Sequence, residues 1–195
     1  ERILKLASDP DPRVRRETLT IGMRINPEAS KLIALKHISD ETDVAKTAIG
    51  ILGALKNEED LDLLFYHFQK RADLRETIIQ TIGAIGGAKA ESFLLAALKF
   101  SPYKSVERIF YDSPKLIVFA IKALKQAGSE TAIKVLETFL SKYKNPIKRA
   151  LLMPVKSAIK SDELIIIAQE TLNSLKARYG SKSSEQPKEQ VGGGK

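Results

Sequence analysis

Two apolar segments thirty residues apart restrict what this chain can fold into. Val44–Leu55 (VAKTAIGILGAL) and Leu74–Ile85 (LRETIIQTIGAI) agree in apolar character at nearly every position, with Gly53 over Gly83, Leu52 over Ile82 and Leu55 over Ile85. A fixed period of about 30 residues in a helical pattern is the mark of a stacked α-solenoid, whose helix pairs bury faces that no pair can bury alone. The period predicts architecture; it names neither a partner nor a reaction.

Helix starts recur along the chain. Asp11-Pro12, Asn26-Pro27, Ser113-Pro114 and Asn145-Pro146 each place a capping side chain before a proline preorganised for the first helical turn. Asn57, Ser129 and Ser161 are further caps, and no alternating apolar run is long enough for a strand. The predicted pairs are 27–38 with 43–56, 58–71 with 73–86, 88–100 with 114–127, and 129–143 with 145–160. A half pair (2–7 with 12–25) precedes them, and a capping helix at 162–179 follows. Pro154 is expected to kink the fifth second-helix. The second helices align on Val14, Val44, Leu74, Ser113 and Ile147, at spacings of 30, 30, 39 and 34. Gly50, Gly53 and Gly83 are expected to allow neighbouring helices to approach closely, because they carry no Cβ.

These second helices resemble those of HEAT repeats of the short bacterial type, which read roughly VR-x-x-A-x-x-A-L-G-x-I. The matching residues are Val14-Arg15-Arg16, Val44…Ala48…Leu52-Gly53…Leu55 and Leu74-Arg75…Ile82-Gly83…Ile85. The resemblance covers about residues 1–160 and departs from the pattern in repeats four and five, where Lys122 and Lys156 take the glycine position. It implies an all-α superhelix of about five helix pairs with second helices lining the concave face. It implies no single activity.

The chain of 195 residues is long enough to bury roughly 70% of its unfolded surface as one domain. That domain is predicted over 1–179, as a piece of a longer protein, with 180–195 a disordered polar tail or linker. No apolar run approaches the roughly 20 residues of a membrane span. Cysteine is absent, which removes disulfides and thiolate chemistry and fits a reducing, cytoplasmic location.

No constellation for catalysis, cofactor or metal stands out. His37 and His67 share a repeat position, but no Cys or carboxylate pattern completes a site around them. Glu58, Glu59, Asp60 and Asp62 sit at a helix start, where the macrodipole favours negative charge. The glycine strings at 50–53 and 83–87 lie in or at the end of apolar helices and follow no strand, so they are not phosphate loops.

The charge is the informative part. Residues 1–98 carry 14 Lys and Arg against 15 Asp and Glu, whereas residues 99–160 carry 13 against 4. A basic column runs through the second helices: Arg15/Arg16, Lys46, Arg75, Lys115 and Lys148/Arg149. In repeats one to three, Asp11, Asp40, Asp43 and Asp73 are placed to pair with it as a structural ladder, as Asp112 is at the fourth. In repeats four and five acids run short. Lys115 with Lys122, and Arg149 with Lys156, are two turns apart on one side, and Lys125 and Lys160 extend the rows. The insertion Ser101–Asp112 adds Tyr103, Arg108, Phe110 and Tyr111, which either flank a binding face or fold back over the spine.

The expected function is a non-enzymatic scaffold that binds an acidic segment or helix of another protein. The predicted contacts are Lys115, Lys122, Lys125, Lys148, Arg149, Lys156, Lys160, Tyr103, Arg108, Phe110 and Tyr111. Phosphate-backbone binding of nucleic acid by the same surface is the alternative. No cofactor, metal or small-molecule substrate is indicated.

Overall fold

The computed structural model of the protein describes residues 5–99, 103–143 and 161–180. Among them the fold is all-α, without strands. Its helices are α1 Pro12–Ile25, α2 Pro27–His37, α3 Thr42–Leu55, α4 Leu61–Lys70, α5 Arg75–Ile85, α6 Gly87–Leu95, α7 Lys104–Asp112, α8 Lys115–Ala127, α9 Glu130–Tyr143 and α10 Ser161–Gly180. Short 3-10 turns at Leu6–Ser8, Glu58–Asp60, Ala72–Leu74 and Ala96–Leu98 join or extend them.

Local chemistry sets these boundaries. The Asp11 carboxylate accepts from the Arg13 N–H at 2.9 Å, with Pro12 at the first helical position, so α1 begins where the sequence places it. Asn26 accepts from Ala29 N–H at 3.0 Å, and Asn57 from Glu59 N–H at 3.0 Å. Ser129 Oγ accepts from Thr131 N–H at 3.1 Å. Ser113 does not cap: α8 opens at Pro114 without a side-chain bond. Helix α5 stops at Gly86, whose φ of 76° with ψ of −158° only glycine adopts readily.

The helices form two layers. In one, α1, α3, α5, α8 and α10 stand side by side, each packed on the next. The other holds α2, α4, α6 and α9, with α2 also packed on α1, and α7 lying against the 3-10 turn Ala96–Leu98. Contacts in the first layer fix its register. Gly53 of α3 lies under Thr81 of α5, Gly83 of α5 lies under Ala123 of α8, and the Thr81 and Thr171 hydroxyls donate to the carbonyls of Ile49 and Ile121. Ile51, Thr81, Ala123 and Thr171 therefore occupy equivalent places, at spacings of 30, 42 and 48, and the thirty-residue period of the sequence puts Ile21 in that place on α1.

Three sequence expectations change. The expected insertion between α6 and α8 is a helix, α7, and the contact of Ala123 with Gly83 sets the third step at 42 rather than 39. The glycine place in α8 is therefore Lys125, not Lys122. Secondly, the expected C-terminal helix, α10, packs on both α8 and α9, so among the described residues it stands next to α8 in the second-helix layer. Its apolar stripe of Leu164, Ala168, Leu172 and Leu175 is buried in the shared register. Periodicity shows such a stripe but not which neighbours cover it. The helix expected at 145–160, with its Pro154 kink, lies outside the described residues, as does the tail from 181. Thirdly, Gly50 makes no close approach. A Cβ built there meets nothing within 4 Å.

Different chemistry binds the other layer. Phe93 of α6 stacks on Phe65 of α4 at 4.2 Å and meets Phe68 edge-on at 5.2 Å, while Phe110 of α7 sits 5.4 Å from Phe68. Such aromatic pairs add about 0.5–1.5 kcal/mol each beyond area burial. Buried Glu91 reaches from α6 to the start of α9, accepting from the Ser129 N–H and hydroxyl at 2.8 Å and from Ala132 N–H at 3.0 Å. A carboxylate of a neighbouring helix thus satisfies donors that the first turn of a helix leaves open.

The two glycines make opposite tests. Gly50→Ala is expected to raise stability by about 0.5–1 kcal/mol, since it removes backbone freedom at an exposed helical site. Gly83→Ala is expected to lower it by about 1–3 kcal/mol, because the new Cβ falls 2.7 Å from Ala123 Cβ. Urea unfolding midpoints measure both, and a loss of stability in Gly50→Ala contradicts the exposed placement.

Candidate partner-binding face

The basic column divides into cations used by the fold and cations left to solvent. Arg15 of α1 is the clearest case of the first kind. Its guanidinium donates to both carboxylate oxygens of Asp40, at 2.6 and 2.9 Å, and to the carbonyls of Asp9 and Pro10. Asp40 also meets His37 Nδ1 at 2.8 Å. Arg71 repeats the pattern, holding Asp73 in a fork and donating to the Asp40 carbonyl at 3.1 Å, while Thr42 donates to Asp73 at 2.7 Å. Of the ladder expected in the first repeats, the rung from Arg15 to Asp40 is therefore present, and the others differ. Arg71, not Arg75, holds Asp73. Arg75 instead donates to the Phe68 carbonyl at 3.0 Å. Asp11 pairs with Arg13 at 2.7 Å within its own turn.

The acids and histidines have structural partners too. Asp62 meets Lys89 at 2.6 Å, and buried Asp60 meets Lys31 at 3.4 Å. His37 is held by Asp40, whereas His67 is buried with its Nδ1 unbonded. Among the described residues, no group of three or more His, Cys, Asp or Glu could hold a metal ion.

Register defines what the second-helix layer offers to solvent. Thr20, Gly50, Gln80, Lys122 and Glu170 form one exposed row across α1, α3, α5, α8 and α10. A flanking row reads Arg24, Ala54, Ala84, Gln126 and Ser174. Between α5 and α8 these rows open into a groove of about 290 Å3 lined by Gln80, Phe119, Lys122, Ala123 and Gln126. Phe119 is partly buried, and Lys122 projects beside the two amides.

Lys115, Lys122 and Lys125 are all exposed on α8, and no ion pair joins them to an acid among the described residues. The described residues hold only the α8 part of the cationic rows expected from the sequence. Because α10 stands next to α8, Glu170 stands in the row of Lys122, and Glu163 stands in the row of Lys115. Lys148, Arg149, Lys156 and Lys160 lie outside the described residues.

The insertion splits in the same way. Phe110 is only 1% exposed, and Tyr103 sits 5.5 Å from Phe65 and 5.8 Å from Phe93. Of the two readings left open for them, a binding face or a fold-back over the spine, these two rings follow the second, packing against Phe65, Phe68 and Phe93. Arg108 and Tyr111 remain outside. They border a cleft of about 430 Å3 with Lys99, Lys104, Glu107 and Asp112, in which Lys99 lies over the Tyr111 ring at 5.2 Å. This cleft shares no lining residue with the α5–α8 groove. Gln80, Phe119 and Gln126 escaped the sequence reading. The signal for them was the row position, visible only with the step of 42.

No protein-family model and no curated protein matches the chain. No helix among the described residues is long and apolar enough to cross a membrane.

The ladder imposes a pH dependence with two windows. Hydrogen bonds from Arg15 hold the Asp40 carboxyl well below its ordinary range, and Arg71 followed by Thr42 does the same for Asp73. Arg13 lowers Asp11 to about 2. As pH falls below the ordinary value of 3.8, the unfolded chain takes up these protons first, so stability present above that pH is lost. His67 is lowered from 6.5 by burial and then by the Arg71 charge. Its unfolded form binds a proton first below 6.5, so stability also declines from there downward, by at most roughly 1.4 kcal/mol per pH unit. Urea midpoints measured from pH 8 to pH 3 are expected to fall gently below 6.5 and steeply below 4. His67→Gln should flatten the first decline and Asp40→Asn reduce the second; a single transition unaffected by either variant refutes the assignment.

Proposed function

We propose that this chain is a non-enzymatic, HEAT-like interaction module that receives an acidic segment of another protein across the groove between α5 and α8. The groove itself carries the reading: Lys122 stands beside two amides and an aromatic ring, without an acid paired to it among the described residues. A carboxylate side chain can take Lys122 as its counter-ion. The Gln80 and Gln126 amides can donate to and accept from a peptide backbone, while Phe119 offers apolar area. Lys115 and Lys125, one or two turns away on α8, strengthen the local positive field. The strongly displaced carboxyls are engaged in ion pairs that hold the helix edges, which favours binding over acid–base chemistry.

Binding is tested by fluorescence anisotropy with a labelled acidic peptide, a labelled neutral peptide of equal length and a labelled DNA duplex, each at several salt concentrations. The acidic peptide is expected to bind, and Lys122→Glu to weaken it by at least tenfold without changing the unfolding midpoint. No peptide binding, or binding indifferent to Lys122→Glu, refutes the groove. Duplex binding that falls steeply with salt and is lost in Lys122→Glu assigns the surface to phosphate backbones instead.

A further inference from the structure

Two neighbouring helices of the second-helix layer, α8 and α10, present opposite charges to solvent. Thr171 of α10 donates to the Ile121 carbonyl of α8 at 3.3 Å, and farther along Arg178 donates to the Gln126 carbonyl at 3.1 Å, so the two helices run parallel. In that register Glu170 stands in the row of Lys122. Two turns earlier, Glu163 stands in the row of Lys115, and all four residues are exposed. No ion pair among the described residues joins these lysines to these glutamates. Packed helices stand about 8–10 Å apart, so the charges stay separate, yet that distance is close to the screening length of about 8 Å at physiological salt. A single bound segment therefore feels both. Lys176, farther along α10, is taken by Glu137 at 2.6 Å. One turn before each charge lies apolar area: half-buried Val118 and Phe119 precede Lys122, and Ile166, 56% exposed, precedes Glu170.

We propose that Glu170, supported by Glu163, determines which segments the α5–α8 groove accepts: a partner whose carboxylate takes Lys122 carries a cation about three residues away, opposite Glu170. This inference rests on the groove reading above and names the partner more closely. Its spacing comes from geometry. A segment lying across the layer passes from α8 to α10 in about 8–10 Å, and an extended backbone covers about 3.3 Å per residue. Three residues therefore separate the two charges, and an apolar side chain between them lies toward Phe119 and Ile166. A run of acids fares worse, because it gains Lys122 and then sets a carboxylate against Glu170. Like charges held at that separation are a means of rejecting a wrong partner. A helix of lysines alone takes any polyanion; lysines beside glutamates read the order of charge.

The test uses fluorescence anisotropy with the 195-residue chain and three labelled peptides of equal length. They share one central glutamate and differ only three residues to either side of it, where they carry lysine, alanine or glutamate. The lysine peptide is expected to bind at least tenfold more tightly than the glutamate peptide, with the alanine peptide between them. Glu170→Lys, a change at an exposed site that should leave the urea midpoint in place, is expected to reverse that order. Lys122→Glu is expected to weaken the alanine peptide. Equal affinity for all three peptides, with the alanine peptide still lost in Lys122→Glu, overturns the proposal and leaves the groove standing. An order that Glu170→Lys does not change has the same meaning, as does tightest binding of the glutamate peptide. Binding of none of the three overturns the proposal and the groove together.

Discussion

Close approach of neighbouring second helices is the constraint on which the rest of this fold depends. A helix that brings Thr81 over Gly53, and another that brings Ala123 over Gly83, need a residue without bulk at one side of each joint. Where that residue is absent, the joint is built from short side chains on the other side, as at Thr171 over the Ile121 carbonyl. The threonines serve twice. Each is small enough to pack against a facing backbone, and each hydroxyl finds a carbonyl acceptor there, so burial leaves no polar atom unpaired. The joints α3–α5, α5–α8 and α8–α10 then repeat one solution with local substitutions, and stability is distributed over nearest-neighbour contacts rather than gathered in one centre.

The two layers divide the labour. Glycine, threonine and alanine set spacing in the second-helix layer, while the first-helix layer is filled by volume, with Phe65, Phe68, Phe93 and Phe110 in mutual contact. This difference explains why the insertion is tolerated. Helix α7 adds its bulk on the aromatic side, where an extra ring can be accommodated by stacking, and leaves the α5–α8 joint at its required separation. Glu91 serves the same end, tying α9 to α6 across a place where the chain has departed from its regular step.

The fold was legible from residues whose role is local or strictly periodic. Asp11, Asn26 and Asn57 cap where their chemistry says they must, and the thirty-residue echo located α3 and α5 because Gly53 and Gly83 answer the same steric demand. What could not be read was the register after the period broke. Counting from Ser113 put Lys122 in the glycine place, and only the contact of Ala123 with Gly83 moves it to the exposed row. Beside α8 stands α10, which brings Glu163 and Glu170 into the rows; the basic helix expected at 145–160 lies outside the described residues. Burial was equally hidden within the insertion: Phe110 and Tyr111 are neighbours in sequence, yet one is core and the other surface, because a helical face separates them.

That contrast also indicates where specificity can reside. In the row of Val14, Val44, Leu74, Leu116 and Leu164 the chemistry hardly changes from helix to helix: all are aliphatic, and all but Val14 are buried. The outer row changes at every step, from Thr20 through Gly50, Gln80 and Lys122 to Glu170, since no neighbour constrains it. A glycine in that row is instructive. Gly50 has a cost in helix propensity and no packing return within the chain, so it lowers the floor of the face beside Gln80. Substitutions in the joint rows will therefore report on folding, whereas those in the outer row will report on recognition, and a variant that moves both has been assigned to the wrong row.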